Sequence, residues 1–163
     1  MAATYEVRTV DGAGNVSDRI PAQGITIQRS RIVDDAPEGG ISFSPQWKHD
    51  KEEPLVAYNG TDTSSNVKGA TAELAFEGKR VLWFTKLGAE NGEAAVSIDG
   101  APAEIVDTYS ADDIWGVAVY RKEFSTPGRH TIRIEVLGQR AVHSAERSKD
   151  TRIFVDGIRV EVE

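Results

Sequence analysis

The sequence predicts an all-β protein in which β-sheets pack face to face as a sandwich. The first observation is that residues 69–136 alternate between apolar and polar side chains, strand after strand. A period of two places every second side chain on one face of a sheet, so Ile132, Ile134 and Val136 are expected to face the core. The second observation is that turn signals separate these strands. A lone sheet cannot bury its apolar face, so this many strands require sheet-on-sheet packing.

The composition is that of an ordinary globular domain with an acidic balance. The chain has 163 residues, of which 28% are charged and 39% hydrophobic, and its net charge is −7. Lysines and arginines do not cluster, which disfavours a nucleic acid partner. No apolar run approaches membrane-spanning length, so no membrane partner is expected. The lack of cysteine excludes disulfides and thiolate metal sites.

The N-terminal segment predicts a β-hairpin over about 4–28. A strand over Tyr5–Val10 runs into a turn-rich stretch and a second short strand over Gly24–Gln28 follows. The stretch "TYEVRTVDGAGNVSD" resembles the last hairpin of a fibronectin type III or immunoglobulin-like domain. The resemblance implies that residues 1–28 are the remnant of such a domain in a larger modular protein. The alternative is that the hairpin belongs to the main sandwich.

Between the hairpin and the regular strands, residues 36–66 are rich in proline and glycine, which favours long loops and short strands. Further on, Asp99-Gly100 is a tight hairpin signal. The final strand, 152–163, changes phase at Asp156-Gly157, because Ile153 and Val155 share one face whereas Ile158 and Val160 share the next. Such a slip indicates a bulge, at which glycine is well tolerated.

Several short motifs in residues 32–163 carry a family resemblance. They are a tryptophan in "SPQWKHD", then "YNG", "GATAELAFEG", "VSIDG", "DTYS", "PGRHTIRI" and "VDGIRVE". In this order and spacing they resemble the galactose-binding-like jelly rolls, modules attached to bacterial glycoside hydrolases, polysaccharide lyases and related surface enzymes. The resemblance implies a jelly-roll β-sandwich over 32–163 that is preceded by the hairpin.

The resemblance also implies a function. It suggests a non-catalytic carbohydrate-binding module that targets a parent secreted carbohydrate-active enzyme to a glycan. Its partners would be an oligosaccharide or polysaccharide and the other domains of that enzyme, outside the cell or at its surface as part of a larger bacterial protein. The alternative is a structural spacer or docking domain without a ligand, and a free-standing lyase or hydrolase is a weaker third hypothesis.

The sequence contains none of the usual catalytic signatures. There is no G-x-S-x-G elbow for a serine hydrolase and no H-E-x-x-H pair for a zinc enzyme. His130 lies at the entry to a strand, where a structural hydrogen bond is expected. Asp112-Asp113 are adjacent and fit a solvated loop better than an acid–base pair. No catalytic residue, metal site or cofactor is therefore predicted.

One structural metal is the exception. Modules of this kind often hold calcium where the first and last strands meet, using carboxylates and carbonyls. Asp156 in "VDG" matches one ligand position, and Asp34 and Asp35 in "VDDAPEGG" roughly replace the usual acidic partner. The resemblance thus raises a structural calcium ion near Asp156, against the alternative of no cofactor.

Candidate sugar-binding residues lie on loops, where a rigid sandwich presents its binding sites. Aromatic rings meet the C–H faces of sugars, and planar polar groups meet their hydroxyls. Three such loops, one of them spanning 138–150, are expected to converge at one end of the sandwich. The candidates on them are Trp47, His49, Tyr58, Asn59, Trp115 and Arg147.

Each candidate has a structural alternative. Trp83 lies in the apolar strand "VLWFT" and is predicted to be core. Trp47 is as well suited to plugging a loop as to stacking on a sugar. Trp115 shares a strand face with Val117 and could equally be core. For Arg147, the alternative is a solvated loop charge.

Overall fold

The computed structural model describes most of the predicted sandwich and parts of the N-terminal segment. The described residues are 6–7, 13, 16, 20–21, 29–36, 38–50, 57–140 and 148–162. Apart from one short 3-10 helix, their regular structure is entirely β, and no helix among them is long and apolar enough to cross a membrane. The all-β prediction is confirmed.

Twelve strands and the 3-10 helix follow one another along the chain. They are β1 (Glu6–Val7), β2 (Ile20–Pro21), β3 (Ser30–Asp34), β4 (Ser42–Phe43), β5 (Lys48–Asp50), the 3-10 helix Tyr58–Gly60, β6 (Asp62–Ser65), β7 (Thr71–Leu87), β8 (Glu93–Ile98), β9 (Glu104–Asp107), β10 (Ile114–Val136), β11 (Ile153–Val155) and β12 (Gly157–Glu161).

Two long strands, β7 and β10, form the backbone of the fold. They pair antiparallel along most of their length, with irregularities in register between Glu123 and Gly128. The first half of β7 also pairs with β4, whereas its second half pairs with β12, which in turn pairs with β3. The second half of β10 pairs with β8, and β8 with β9. The two long strands therefore contribute to two different sets of neighbours.

A second, three-stranded sheet has the order β11-β6-β5. The chain leaves this sheet at Asp156: β11 pairs with β6, and β12 pairs with β3 and β7. The backbone N–H of Asp156 donates to the carbonyl of Phe84 at 3.1 Å at the crossing. The phase change at Asp156-Gly157 is therefore not the predicted bulge within one final strand but the point where the chain passes from one sheet to the other.

The core follows the predicted period of two. Along β7 the alternate residues Ala72, Leu74 and Phe76 are buried, and Trp83 is fully buried with 0% exposure. Ile132, Ile134 and Val136 on β10 are buried as expected. Alternate apolar side chains on paired strands thus reach the same interior, and their removal from water is the main force holding the sheets together.

The N-terminal segment is paired, but with a different partner from the one predicted. Glu6–Val7 pairs antiparallel with Ile20–Pro21, whereas the sequence predicted a return strand at Gly24–Gln28. That predicted strand lies outside the described residues. The division of the chain into a 1–28 remnant and a 32–163 sandwich stays a prediction.

Candidate functional site

A polar cleft of about 340 Å³ lies where the three-stranded sheet meets the end of β7 and the start of β10. We call it the Trp115 cleft. Two aromatic rings and a set of charged and hydroxyl side chains line it. These residues are Asp50, Asp62, Ser64, Lys86, Glu90, Asp113, Trp115, Arg152 and Phe154.

The register of the three-stranded sheet brings distant residues onto one face of this cleft. Phe154 on β11 lies opposite Ser64 on β6, and Asp50 on β5 lies opposite Asp62. Directly opposed residues of antiparallel strands point to the same face, and residues two apart on a strand do so as well. The cleft side of the sheet therefore carries four of the lining residues, Asp50, Asp62, Ser64 and Phe154.

The aromatic part of the cleft is formed by Trp115 and Phe154. Their ring centroids are 6.2 Å apart and the planes meet at 66°, an edge-on arrangement. Gly116 follows Trp115 with φ of +67°, within an irregularity of the β7–β10 register. A bulge of this kind re-aims a neighbouring side chain. The positive φ favours glycine at this position.

Lys86 connects the rings to the charged rim. Its Nζ lies 3.0 Å from a carboxylate oxygen of Glu90 and 2.9 Å from one of Asp113. It also lies 5.4 Å from the Trp115 ring centroid and 5.1 Å from that of Phe154. Burial alone would lower the pKa of Lys86, but hydrogen bonds to Asp113 and Glu90 outweigh it, so the pKa is raised. The ammonium is therefore a fixed charge of the cleft.

Arg152 supplies hydrogen-bond donors that are only loosely engaged. Its guanidinium lies 3.4 Å from the Ser64 hydroxyl and 3.5 Å from the Asp150 carboxylate, both long contacts. Its Nε is buried without a hydrogen-bond partner among the described residues. A guanidinium offers five donors in a planar fork. Arg152 can therefore donate to a ligand without breaking a strong bond of its own.

The predicted tryptophan and histidine candidates of the first loop lie elsewhere. Trp47 is only 6% exposed and belongs to the hydrophobic core, where its ring lies 5.3 Å from that of Phe43. His49 alternates with Asp50 along β5 and bonds to Thr63 at 2.7 Å on the opposite face. The structure does not bring these two residues to the cleft, because Trp47 packs inward and β5 directs His49 away.

The remaining candidates divide between a neighbouring cavity and undescribed residues. Tyr58 is 41% exposed and borders an apolar cavity of about 280 Å³ with Phe84 and Asp156. Asn59 adopts a left-handed backbone conformation with φ of 54°. Asparagine tolerates this conformation, which explains the residue type at this position without a ligand. Arg147 lies outside the described residues. Of the six candidates, the structure places Trp115 in the Trp115 cleft.

Most residues that line the cleft were not predicted from the sequence, because the predicted binding residues were all placed on loops. Lys86, Arg152, Phe154, Ser64 and the Asp50–Asp62 pair lie on or next to strands. One signal was available: in "DTSS" and "TRIF" polar or aromatic residues alternate with residues that face the core. An outward row of such residues on strands can form a binding face as well as loops do.

Buried aspartates lie where β3 meets the end of β11. Both carboxylate oxygens of Asp35 accept 2.7 Å hydrogen bonds, one from Thr61 and one from Thr63. Asp156 accepts a 2.8 Å bond from the N–H of Tyr58. Burial, and secondarily the charges of Asp35 and Asp34, raise the pKa of Asp156 to about 6 against the opposing Tyr58 bond. Burial likewise raises the pKa of Asp35.

This arrangement does not fit the calcium ion expected near Asp156. Within the described ranges, no group of three or more histidine or acidic side chains is placed to hold a metal. Calcium requires six to eight oxygen ligands. The Asp35 oxygens are instead occupied by threonine hydroxyls.

His130 makes the structural hydrogen bond that the sequence predicted. Its Nδ1 lies 2.7 Å from a carboxylate oxygen of Asp99, which begins the loop over 99–103 between β8 and β9, a longer connection than the predicted tight hairpin. The imidazole also stacks on Phe124 with centroids 3.6 Å apart. Asp99 bonds in addition to the N–H of Thr131 at 2.7 Å. The pair thus ties the β8–β9 turn to β10, away from the cleft.

Two curated proteins from Flavonifractor plautii resemble the chain in sequence. It is 26% identical over 135 residues to "A type blood alpha-D-galactosamine galactosaminidase" and 29% identical over 141 residues to "A type blood N-acetyl-alpha-D-galactosamine deacetylase". These alignments cover 80% and 82% of the chain but only 12% and 18% of the relatives. No protein-family model matches the chain.

Solved structures resemble the chain in fold at low identity. The CBM35 from Cellvibrio japonicus Abf62 matches at a TM-score of 0.52 and 13% identity, over 81% of this chain and 92% of that one. A two-domain esterase active on acetylated mannans matches at 0.62 and 12%, over 83% and 36%. A family two carbohydrate esterase from Cellvibrio japonicus matches at 0.58 and 12%, over 84% and 35%. The chain therefore has the β-sandwich fold found in a carbohydrate-binding module and in domains of carbohydrate-active enzymes.

Proposed function

We propose that the chain is a non-catalytic carbohydrate-binding module and that the Trp115 cleft is its glycan site. The observation that carries the proposal is the cleft itself, in which two aromatic rings adjoin hydrogen-bond donors and acceptors. Sugars present C–H faces that pack on aromatic rings and hydroxyls that both donate and accept. The Trp115 cleft is concave and brings several polar side chains together around one aromatic ring, so it can meet both the hydroxyls and a C–H face of a sugar.

The binding mode follows from the placement of the side chains. A sugar ring would pack its C–H face on the half-buried ring of Trp115, which the buried ring of Phe154 supports from below. Arg152 would donate to sugar oxygens through its loosely held guanidinium. Asp50, which is exposed on β5, would accept hydrogen bonds from sugar hydroxyls. Charge-assisted hydrogen bonds of this kind are stronger than neutral ones.

The fold and the relatives support a glycan ligand in a modular protein. The matching structures include a CBM35 and carbohydrate esterases, and the curated relatives are named as a galactosaminidase and a deacetylase of an N-acetylated amino sugar. The chain spans less than a fifth of those relatives. In the proposed role, the module holds a parent secreted enzyme at its glycan, outside the cell or at its surface, and contacts other domains of that enzyme.

Affinity electrophoresis of the intact chain in gels containing polysaccharides tests the proposal. We expect retardation by at least one glycan, loss of retardation in Trp115→Ala and Arg152→Ala, and full retardation in Arg129→Ala. Arg129 is a matched control because its side chain is 91% exposed and lies outside the cleft. Retention of binding by both cleft variants would place the site elsewhere. Failure to bind any glycan across a broad panel would favour a spacer or docking domain.

A further inference from the structure

We propose, resting on the proposed function, that the apolar cavity bordered by Tyr58, Phe84 and Asp156 is a second subsite beside the Trp115 cleft and takes the acetamido group of an N-acetylated amino sugar. We call it the Phe84 cavity. Three observations support the inference: the position of the cavity next to the cleft, its apolar walls, and a carboxylate oxygen of Asp156 that lacks a hydrogen bond.

The first observation is that the Phe84 cavity and the Trp115 cleft are neighbours on the same strands. Phe84 lines the cavity and Lys86 lines the cleft. Residues two apart on a strand point to the same face, about 6.6 Å from each other. On β10, Trp115 lines the cleft and the next residue, Gly116, lines the cavity. A sugar ring on Trp115 can therefore extend a substituent of a few bonds into the cavity.

The second observation is that the walls of the cavity suit a methyl group. Phe84 forms one wall, and Ile32 and Tyr58 lie at the rim, where they are 40% and 41% exposed. Apolar ligand atoms packed against these side chains would remove apolar surface from water. The cavity volume of about 280 Å³ exceeds the roughly 120 Å³ that four heavy atoms need at about 30 Å³ each, the volume of a water molecule in the liquid.

The third observation is the unsatisfied oxygen of Asp156 in the cavity lining. The residue is 3% exposed, and its Oδ1 accepts a 2.8 Å hydrogen bond from the Tyr58 N–H. In the part of the chain that the structure describes, its Oδ2 has no hydrogen-bond partner. A buried polar atom without a partner costs stability. A ligand N–H that donates to Oδ2 would supply the missing hydrogen bond.

One acceptor among apolar walls selects a group with one donor and an apolar remainder. An acetamido group has one N–H and one methyl, and its carbonyl can stay at the open rim beside Tyr58, where water reaches it. An ammonium carries three donors, and two of them would lose their hydrogen bonds to water against apolar walls. An O-acetyl ester has the methyl but no donor, so it would leave Oδ2 without a partner.

NMR titration of the intact chain with six monosaccharides tests the inference. The probes are N-acetylgalactosamine and N-acetylglucosamine, each compared with its parent hexose and with its free amine. We expect at least one N-acetylated sugar to bind about five- to twentyfold more tightly than both of its comparison sugars, because one methyl is buried and one hydrogen bond is gained. Saturation transferred from the protein should be stronger at the acetyl methyl protons than at the ring protons.

Two substitutions make the result specific to the cavity. Asp156→Asn keeps the acceptor for the Tyr58 N–H but places an amide donor where Oδ2 stands, so the preference for the N-acetylated sugar should fall to about one. Circular dichroism confirms that this variant is folded. Glu77→Gln, a matched change at an exposed carboxylate outside the cavity, should leave the preference intact.

Three results would overturn the inference. They are equal binding of the N-acetylated sugars and their parent hexoses, tighter binding of the free amines, and a preference that persists in folded Asp156→Asn. The proposed function would survive each of them if Trp115→Ala still abolished binding. Binding of none of the six sugars would also overturn the inference, whereas the proposed function would still be decided by the polysaccharide gels.

Discussion

The Nζ of Lys86 lies 5.4 Å from the centroid of the Trp115 ring, and the two residues come from paired strands, the end of β7 and the start of β10. Ion pairs of Lys86 with Glu90 and Asp113 hold this contact in place. Because Asp113 lies two residues before Trp115, the lysine fixes the segment that presents the tryptophan. Lys86 is a positioning residue for the ring in the proposed site.

We predict that Lys86→Met weakens glycan binding while the chain remains folded. Methionine keeps the apolar stem of the side chain but leaves Glu90 and Asp113 without their cation. The loss of stability should be only about 1–2 kcal/mol, because water can solvate both partly exposed carboxylates. The emission of Trp115 should shift as its environment loosens. Binding and emission like those of the parent, in a folded variant, would contradict this role.

Replacing either of the two buried tryptophans by alanine should lower the free energy of unfolding. Trp83 is 0% exposed and Trp47 is 6% exposed, so Trp83→Ala and Trp47→Ala should each destabilise the fold by about 3–5 kcal/mol. Trp115→Ala, at a half-buried position, should have a much smaller effect. Thermal unfolding followed by circular dichroism gives the comparison. A Trp47→Ala protein as stable as the parent would show that this ring is not part of the core.

A pH-dependent prediction follows from Asp156, whose pKa burial raises to about 6. Its value in the unfolded chain is near the ordinary 3.8. The folded state therefore binds a proton that the unfolded state releases. The stability contribution of Asp156 falls as pH rises from about 4 to about 6 and stays low above that range. Asp156→Asn removes this penalty, while its side-chain oxygen still accepts from the Tyr58 N–H.

We therefore expect Asp156→Asn to be more stable than the parent at pH 7.5, by up to about 3 kcal/mol for a shift of about two pKa units. The difference should shrink toward pH 4. Chemical denaturation of both proteins at several pH values measures it. A variant that is less stable than the parent at pH 7.5 would show that ionised Asp156 has a favourable partner, such as a cation.

The regular strands could be predicted from the sequence because their signal is local. Alternation along 71–76 and 132–136 determines which side chains of β7 and β10 enter the core. Trp83 lies within an apolar run, so the sequence predicts that its ring is buried in the core, as it is. The phase change at Asp156-Gly157 was also visible, but it indicated a bulge within one strand, because the passage of β11 and β12 into different sheets depends on long-range pairing.

The candidate site could not be predicted in the same way because it depends on long-range register. Ser64 meets Phe154, and Asp50 meets Asp62, only after the short strands β5, β6 and β11 have paired. These strands are too short for alternation to decide their faces. The sequence allowed Trp47 to be either a core ring or a sugar-stacking ring, and its packing against Phe43 shows that it belongs to the core.

The central claim, that the glycan site is the Trp115 cleft, is tested most directly by the indole N–H signals of the chain. The protein has three tryptophans, so a nitrogen-15 NMR spectrum resolves three indole signals, assigned by single substitutions to phenylalanine. We predict that a glycan found by the affinity screen shifts the Trp115 signal in a saturable manner, with a dissociation constant on the order of micromolar to millimolar for one shallow site. The signals of Trp47 and Trp83 should stay in place. A saturable shift of the Trp47 signal with no change at Trp115 would contradict the account.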